Sequence, residues 1–188
     1  MIHEDSENGH LIWQEENRRD IFKTKVFTVR ENRSRSPTGE SGTFTILDAP
    51  DWAIVIPVLE KAGERRFVMV RQWRHGSETL SLEFPGGVFE KGEEPSEAAA
   101  RELREETAYQ AGRIRKLAEM SPNPAIMANR VHFFLAGDLH YTGNQELDAD
   151  EYMDVVLVSP EEVLRNMGRP PYIHALMAAA LALYLQAG

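Results

Sequence analysis

GGVFEKGEEPSEAAARELREETAY, residues 86–109, is the stretch on which the reading of this chain turns. Three of its acids, Glu102, Glu105 and Glu106, stand at i, i+3 and i+4. On a helix that offset puts the three carboxylates on one face, with Cβ atoms about 5–6 Å apart, where like charges repel. The arrangement asks for a cation between them. The helix is signalled by Pro95, which suits a first helical position, and by the strong formers of AAARELREET. Glu94 is the expected cap, and Glu97 falls in the first turn, where the helix dipole favours a negative charge. Ala99, Leu103 and Thr107 predict a buried stripe, with the carboxylates on another side and Arg101 and Arg104 between the two faces.

Upstream, 80–84 reads as a strand, and Pro85-Gly86-Gly87 turns the chain out of it with glycines that let a ligand or backbone come close. Strand, loop and acidic helix form one unit in which loop carbonyls join helix carboxylates around a cation. An all-oxygen donor set favours a hard ion, Mg2+ or Mn2+, shared with substrate phosphate. Gly87, then Glu93 after five residues, then Arg101-Glu102-Leu103-Arg104-Glu105-Glu106-Thr107-Ala108-Tyr109 after seven, resembles the Nudix box G-x5-E-x7-R-E-U-x-E-E-x-G-U, with U apolar. Every charged position matches. Ala108 stands where the pattern has glycine, which bears on how the helix ends. A solvated, ion-paired helix face is the ordinary alternative for a charge run.

The rest of the chain agrees with this and narrows it little. With 188 residues and 42% hydrophobic content the chain is long enough for one domain with a sizeable core and a small appendage. A net charge of −9 argues against binding to nucleic acid or to anionic membranes, which need basic surfaces. The absence of cysteine excludes disulfides and thiolate zinc sites and makes a cytoplasmic location the default expectation. MIHEDSENGH reads as polar and loose, without the basic flank and apolar run of a signal peptide.

Taken in order, 21–30 predicts a half-buried strand with a bulge near Val26 and Phe27, 32–42 a turn-rich connection, and 43–47 a returning strand. Such a hairpin is marginal alone and must dock on something. Strands are expected at 52–59, 66–73, 113–120, 131–136 and 153–158. Ser159 and Pro160 open a short helix, and 173–186 is an Ala- and Leu-rich helix whose unbroken apolar run is too short to span a bilayer. The fold class is α/β (α+β), a mixed sheet covered by helices on both faces.

The resemblance implies a Nudix α/β/α sandwich over 48–188 and an N-terminal antiparallel strand appendage over 1–47. The VRQWR strand, the LEFPGG turn and the N-terminal strands are similar to the ADP-ribose pyrophosphatase branch, which implies a homodimer whose N-terminal strands help complete the partner's site. It also implies that Glu102 and Glu106 are the main metal ligands, with Glu105 assisting and the Gly86 carbonyl completing the shell. Gly87, Glu93 and Arg101 would be structural, the last two pairing loop to helix. The general base would come from the loop holding Glu146, Asp148, Asp150 and Glu151, with Glu151 first and Glu146 second.

For an anionic substrate, Arg74 takes the place of a phosphate-binding arginine in that branch, with Arg71 beside it and Arg130 a weaker candidate. Phe27 or Phe22 offers a stacking face for a base. Pro124, fifteen residues after Tyr109, matches a subfamily proline, although SPNPAIMANR departs from the usual SPG-type loop. The implied function is Mg2+-dependent hydrolysis of a nucleoside diphosphate sugar, with ADP-ribose giving AMP and ribose 5-phosphate. GDP-mannose, dinucleoside polyphosphates and damaged nucleotides remain alternative substrates, and a non-catalytic nucleotide sensor is the alternative of another class.

Overall fold

The computed structural model describes residues 8–188, so the expectation of a loose start lies outside it up to residue 7. Contacts divide the described chain into two compact units, 8–50 with Ser121–Asn129, and Asp51–Met120 with Arg130–Gly188.

The first unit is a three-stranded antiparallel sheet of β1 (Gln14–Lys23), β2 (Thr28–Arg35) and β3 (Ser41–Asp48), in that order. The strand expected over 21–30 is instead the end of β1 and the start of β2 around a tight turn. The Thr24 hydroxyl donates to the Phe27 carbonyl at 2.7 Å and accepts from the Phe27 N–H at 2.9 Å. This local side-chain bonding competes with the ladder and ends the strand. The irregularity at Val26 and Phe27 therefore marks a turn, and the register shift falls earlier, between Asp20 and Phe22. Residues 121–129 join this sheet through Leu47, whose N–H donates to Ile126 and whose carbonyl accepts from Ala128. The buried residues of this unit, among those described, are Ser34, Ser36 and Asn129, all polar.

In the second unit β4 (Trp52–Lys61), β5 (Glu64–Arg74), β6 (Thr79–Glu83), β7 (Tyr109–Met120), β8 (Val131–Tyr141) and β9 (Met153–Val158) make a mixed sheet. The order is β6-β5-β4-β8-β7, with β9 on β5; β4 and β8 run parallel and the other pairs antiparallel. Ala62 and Gly63, both at positive φ, close the β4–β5 hairpin. Alternation along β4 and β8 sorts the core into two faces. Ala53, Val55, Phe134 and Ala136 pack on helix α1 (Pro95–Thr107) through Ala98, Ala99 and Leu103. Ile54, Ile56, Val131 and Phe133 face the other way, onto α2 (Pro160–Asn166) and α3 (Ala175–Ala187) through Val163, Met177, Ala180 and Leu181. This is the α/β/α sandwich expected from the sequence. Strands β7 and β8 outrun their expected limits, over 109–112 and 137–141, where Tyr109, Ala111 and Leu139 pack against the α1 side of the core. No helix among the described residues is long and apolar enough to cross a membrane.

Candidate active site

The site begins where β6 ends. Pro85 and Gly87 carbonyls accept from Val55 and Ala53 of β4 at 2.9 Å each, so the loop continues the sheet for three residues. The Gly86 N–H between them turns the other way, to the helix side. There the Gly86 N–H donates to the Glu106 carboxylate at 2.8 Å. Space requires glycine at 86, while at 87 a side chain would force the Glu102 carboxylate to swing away. A Cβ on Gly86 would strike the Ala53 carbonyl, and one on Gly87 would strike the Glu102 carboxylate.

Helix α1 presents the acids as the spacing predicts, with one correction. Glu102 and Glu106 are not separate from the buried stripe: they are 9% and 4% exposed and belong to its edge. Adjacent helical positions differ by only about 100°, so the residues before Leu103 and Thr107 are drawn under the 86–87 loop. Burial pushes the Glu106 carboxyl well above its ordinary range, against the opposing Gly86 N–H. Burial likewise raises Glu102, more than neighbouring Arg101 lowers it.

Arg101 is the cation among these acids. Its Nε and Nη2 grip Glu93 at 2.8 and 3.0 Å, Nη1 donates to Glu102 at 2.8 Å and Glu105 at 3.1 Å, and Nη2 also reaches the Val88 carbonyl. Glu93 is held below its usual range chiefly by that hydrogen bond. The pair clamps the 88–93 loop onto the helix.

Glu102 and Glu105 turn toward Arg101, and among the described residues no three acidic or histidine side chains are gathered around one point. The donor set nevertheless fits a divalent cation: two desolvated carboxylates and a third beside them, all oxygen, next to the Gly86 backbone.

The acidic loop reaches the site by capping the helix. A helix leaves its last carbonyls without internal partners. Here Glu146 N–H donates to the Glu105 carbonyl at 2.9 Å, Gln145 Nε2 to Glu106 at 2.5 Å, and Thr142 N–H to Ala108 at 2.8 Å. Glu146 then forms an ion pair with Arg104 at 2.6 Å. Glu151 lies close enough for its charge to raise Glu102 and Glu106, and it accepts from the Asp148 N–H at 3.1 Å. No periodicity in the sequence announces this anchoring.

The cationic candidates separate. Arg71 stands opposite Leu82 and Arg74 opposite Thr79 on β6, three residues apart and so on opposite faces of the sheet. Arg74 is on the helix α1 face and feels the charges of Glu106 and Glu151. Arg71 acts electrostatically on Tyr172 instead. Arg130 follows the break at Asn129, its N–H held by Asp51 at 2.7 Å. Phe27 and Pro124 belong to the first unit, Phe27 in the turn rather than on a strand. Sequence reasoning missed Glu83, which receives both Nε and Nη2 of Arg74. Its signal is a lone charge inside an apolar strand, 80–84.

A family model described as the NUDIX domain matches residues 49–178. ADP-ribose pyrophosphatase of Bacillus subtilis is 34% identical over 167 residues, which is 88% of each chain. Methanol dehydrogenase activator of Bacillus methanolicus is 31% identical over 77% of each. Among solved structures, that of an ADP compounds hydrolase superposes with a TM-score of 0.81 at 22% identity, covering 94% of this chain and 95% of that one, which speaks for the fold. With a matching domain model over most of its length and the box in place on a helix packed against a mixed sheet, the chain belongs to the Nudix family.

Proposed function

We propose that this protein is a Nudix pyrophosphohydrolase that cleaves the pyrophosphate bond of a nucleoside diphosphate sugar, ADP-ribose being the leading substrate, to AMP and ribose 5-phosphate. The observation that carries the reading is the pair of buried, desolvated carboxylates, Glu102 and Glu106, under the Gly86-Gly87 loop. Similarity to ADP-ribose pyrophosphatases of Bacillus subtilis and Mycobacterium tuberculosis directs the choice of substrate.

Glu102 and Glu106, with Glu105 and the Gly86 carbonyl, would hold Mg2+. A bound divalent ion supplies charge neutralisation of the phosphates and a water acidified toward neutrality. The chain's own residues do the rest. Arg74 binds a phosphate oxygen, Arg101 with Glu93 keeps loop and helix in register, and Glu151 accepts the proton of the attacking water. Glu151 suits that role better than Glu146, whose carboxylate is engaged by Arg104. Arg71 and Arg130 are left to outer contacts with substrate.

The protein is proposed to act in the cytoplasm as a homodimer. The sheet of the first unit buries no apolar residue of its own and exposes Leu11, Trp13, Ile21, Phe22, Val26 and Phe44. A second copy would cover such a surface and bring Phe27 into use, while Pro124 is left to the distal half of the substrate.

Incubation with ADP-ribose, GDP-mannose, diadenosine polyphosphates and oxidised nucleotides in Mg2+ tests the reading, with products resolved chromatographically and the best substrate run in ¹⁸O-water. ADP-ribose is expected to turn over fastest, with label in one phosphate of the products. Absence of turnover of every compound would overturn the enzyme reading.

A further inference from the structure

Glu83 takes no part in the box, yet it is 1% exposed, between Leu82 and Phe84 of the core. A carboxylate that deep needs partners on every lone pair it offers. Arg74 supplies a two-pronged grip, Nε to Oε1 at 2.9 Å and Nη2 to Oε2 at 2.7 Å. The third partner comes from the far end of the chain. Leu82 N–H donates to the Pro171 carbonyl and Phe84 N–H to the Met177 sulfur, each at 2.9 Å. Residues 171–177 therefore run along the edge of β6, and His174 Nδ1 lies 3.0 Å from Glu83 Oε2, a close polar contact in which Nδ1 makes no hydrogen bond. Burial pushes the Glu83 carboxyl up, but Arg74 and His174 outweigh it and hold it well below the usual range. The carboxylate is thus charged, forked and backed.

What remains of Arg74 is Nη1, which takes no part in the fork, and Glu106 and Glu151 lie near enough for their charges to act on the guanidinium. We infer that Glu83 and His174 are positioning residues for Arg74: the fork fixes the plane of the guanidinium, His174 keeps Glu83 from rotating, and Nη1 is presented to a phosphate oxygen. The inference rests on the pyrophosphate-substrate reading above. An arginine side chain has several rotatable bonds, and ordering it before the substrate arrives removes a cost that binding would otherwise bear. Lysine cannot be held this way, since it has no planar fork.

The test combines kinetics with a spectroscopic readout that needs no substrate. Glu83→Gln is expected to raise KM for ADP-ribose about tenfold with kcat changed less than about threefold, as loss of ground-state binding does. Arg74→Ala should raise it at least as much, and the double variant should be no worse than Arg74→Ala, since residues acting through one group do not add. His174→Ala, at a side chain 37% exposed, is the milder probe, and His174→Gln, which keeps an N–H donor, should restore KM. In ¹⁵N NMR the Arg74 Nε–H signal, assigned by its loss in Arg74→Lys, should broaden or vanish in Glu83→Gln and in His174→Ala.

Additive KM effects, or an Nε–H signal unchanged in both variants, overturn the inference. If Glu83→Gln does not fold, the two His174 variants decide it. If the wild type turns over no nucleotide sugar, the function reading fails by itself and the NMR result alone decides the positioning.

Discussion

At the scale of single residues, Ala108 shows how a departure from the box is absorbed. It caps α1 in the left-handed region, φ 59°, and is 1% exposed. An L-residue with a Cβ is strained there by about 1–2 kcal/mol, which glycine avoids. Ala108→Gly is expected to raise stability by about 1 kcal/mol in denaturant melts without altering the site, part of the relief being lost to the freer unfolded chain. Glu106 is tuned the other way. Its folded-state value lies above the unfolded one, so the cost of its charge is absent below the ordinary carboxyl range and grows as pH rises from there. Without divalent ions, Glu106→Gln should therefore melt higher than the wild type at neutral pH, with the gap closing in acid. With Mg2+ its kcat/KM should fall on the order of a hundredfold or more. Glu151→Gln should lower kcat by about a hundredfold, whereas Glu146→Gln, bound to Arg104, should change it less than about threefold. Equal losses for the two would remove Glu151 from its role.

At the scale of elements, the site is a helix held at both ends by loops that bond to it through polar groups. Arg101 closes the N-terminal side by tying Glu93 and the Val88 carbonyl to α1. The 142–146 loop closes the C-terminal side, its backbone capping the carbonyls of Glu105 and Ala108 and the Gln145 side chain that of Glu106. Arg101→Ala leaves Glu93 and Glu102, each only 12% exposed at the side chain, without their cation. The expected loss is about 2–4 kcal/mol by thermal or denaturant unfolding, and Arg101→Lys should recover little, since one ammonium cannot reach four acceptors. Faster proteolysis within 88–93 would accompany it. The strand, loop and helix could be read in advance because each has a local signature: alternation, Pro-Gly-Gly, and periodic acids after a proline. The second clasp could not be, because the backbone N–H groups and the Gln145 amide that meet the helix carbonyls come from a loop with no periodic pattern.

At the scale of the whole molecule, the open question raised by the sequence is what covers the N-terminal strands. β1 is exposed at every position, with Ile21 and Phe22 at 51% and 63%. Light scattering is expected to give twice the 21.3 kDa chain mass, and replacing Ile21 and Phe22 by aspartate should shift the protein toward monomer. A monomeric wild type would remove the cross-subunit role of the N-terminal strands while leaving the box chemistry standing.

The sequence by itself determined the sandwich and the acidic helix, because periods of two and 3.6 and the spacing from Gly87 to Glu106 are local properties that survive without knowledge of neighbours. It also carried Arg101 with Glu93, a pair implied by the resemblance of residues 87–109 to the Nudix box. Only the tertiary structure decided that Glu102 and Glu106 are buried, that Arg71 and Arg74 part to opposite faces, and that Glu83 meets His174 ninety residues later. Those facts depend on which strands become neighbours and on which side of β6 the C-terminal segment returns. Burial and partner choice are set by packing between distant segments, and a one-dimensional pattern does not contain them.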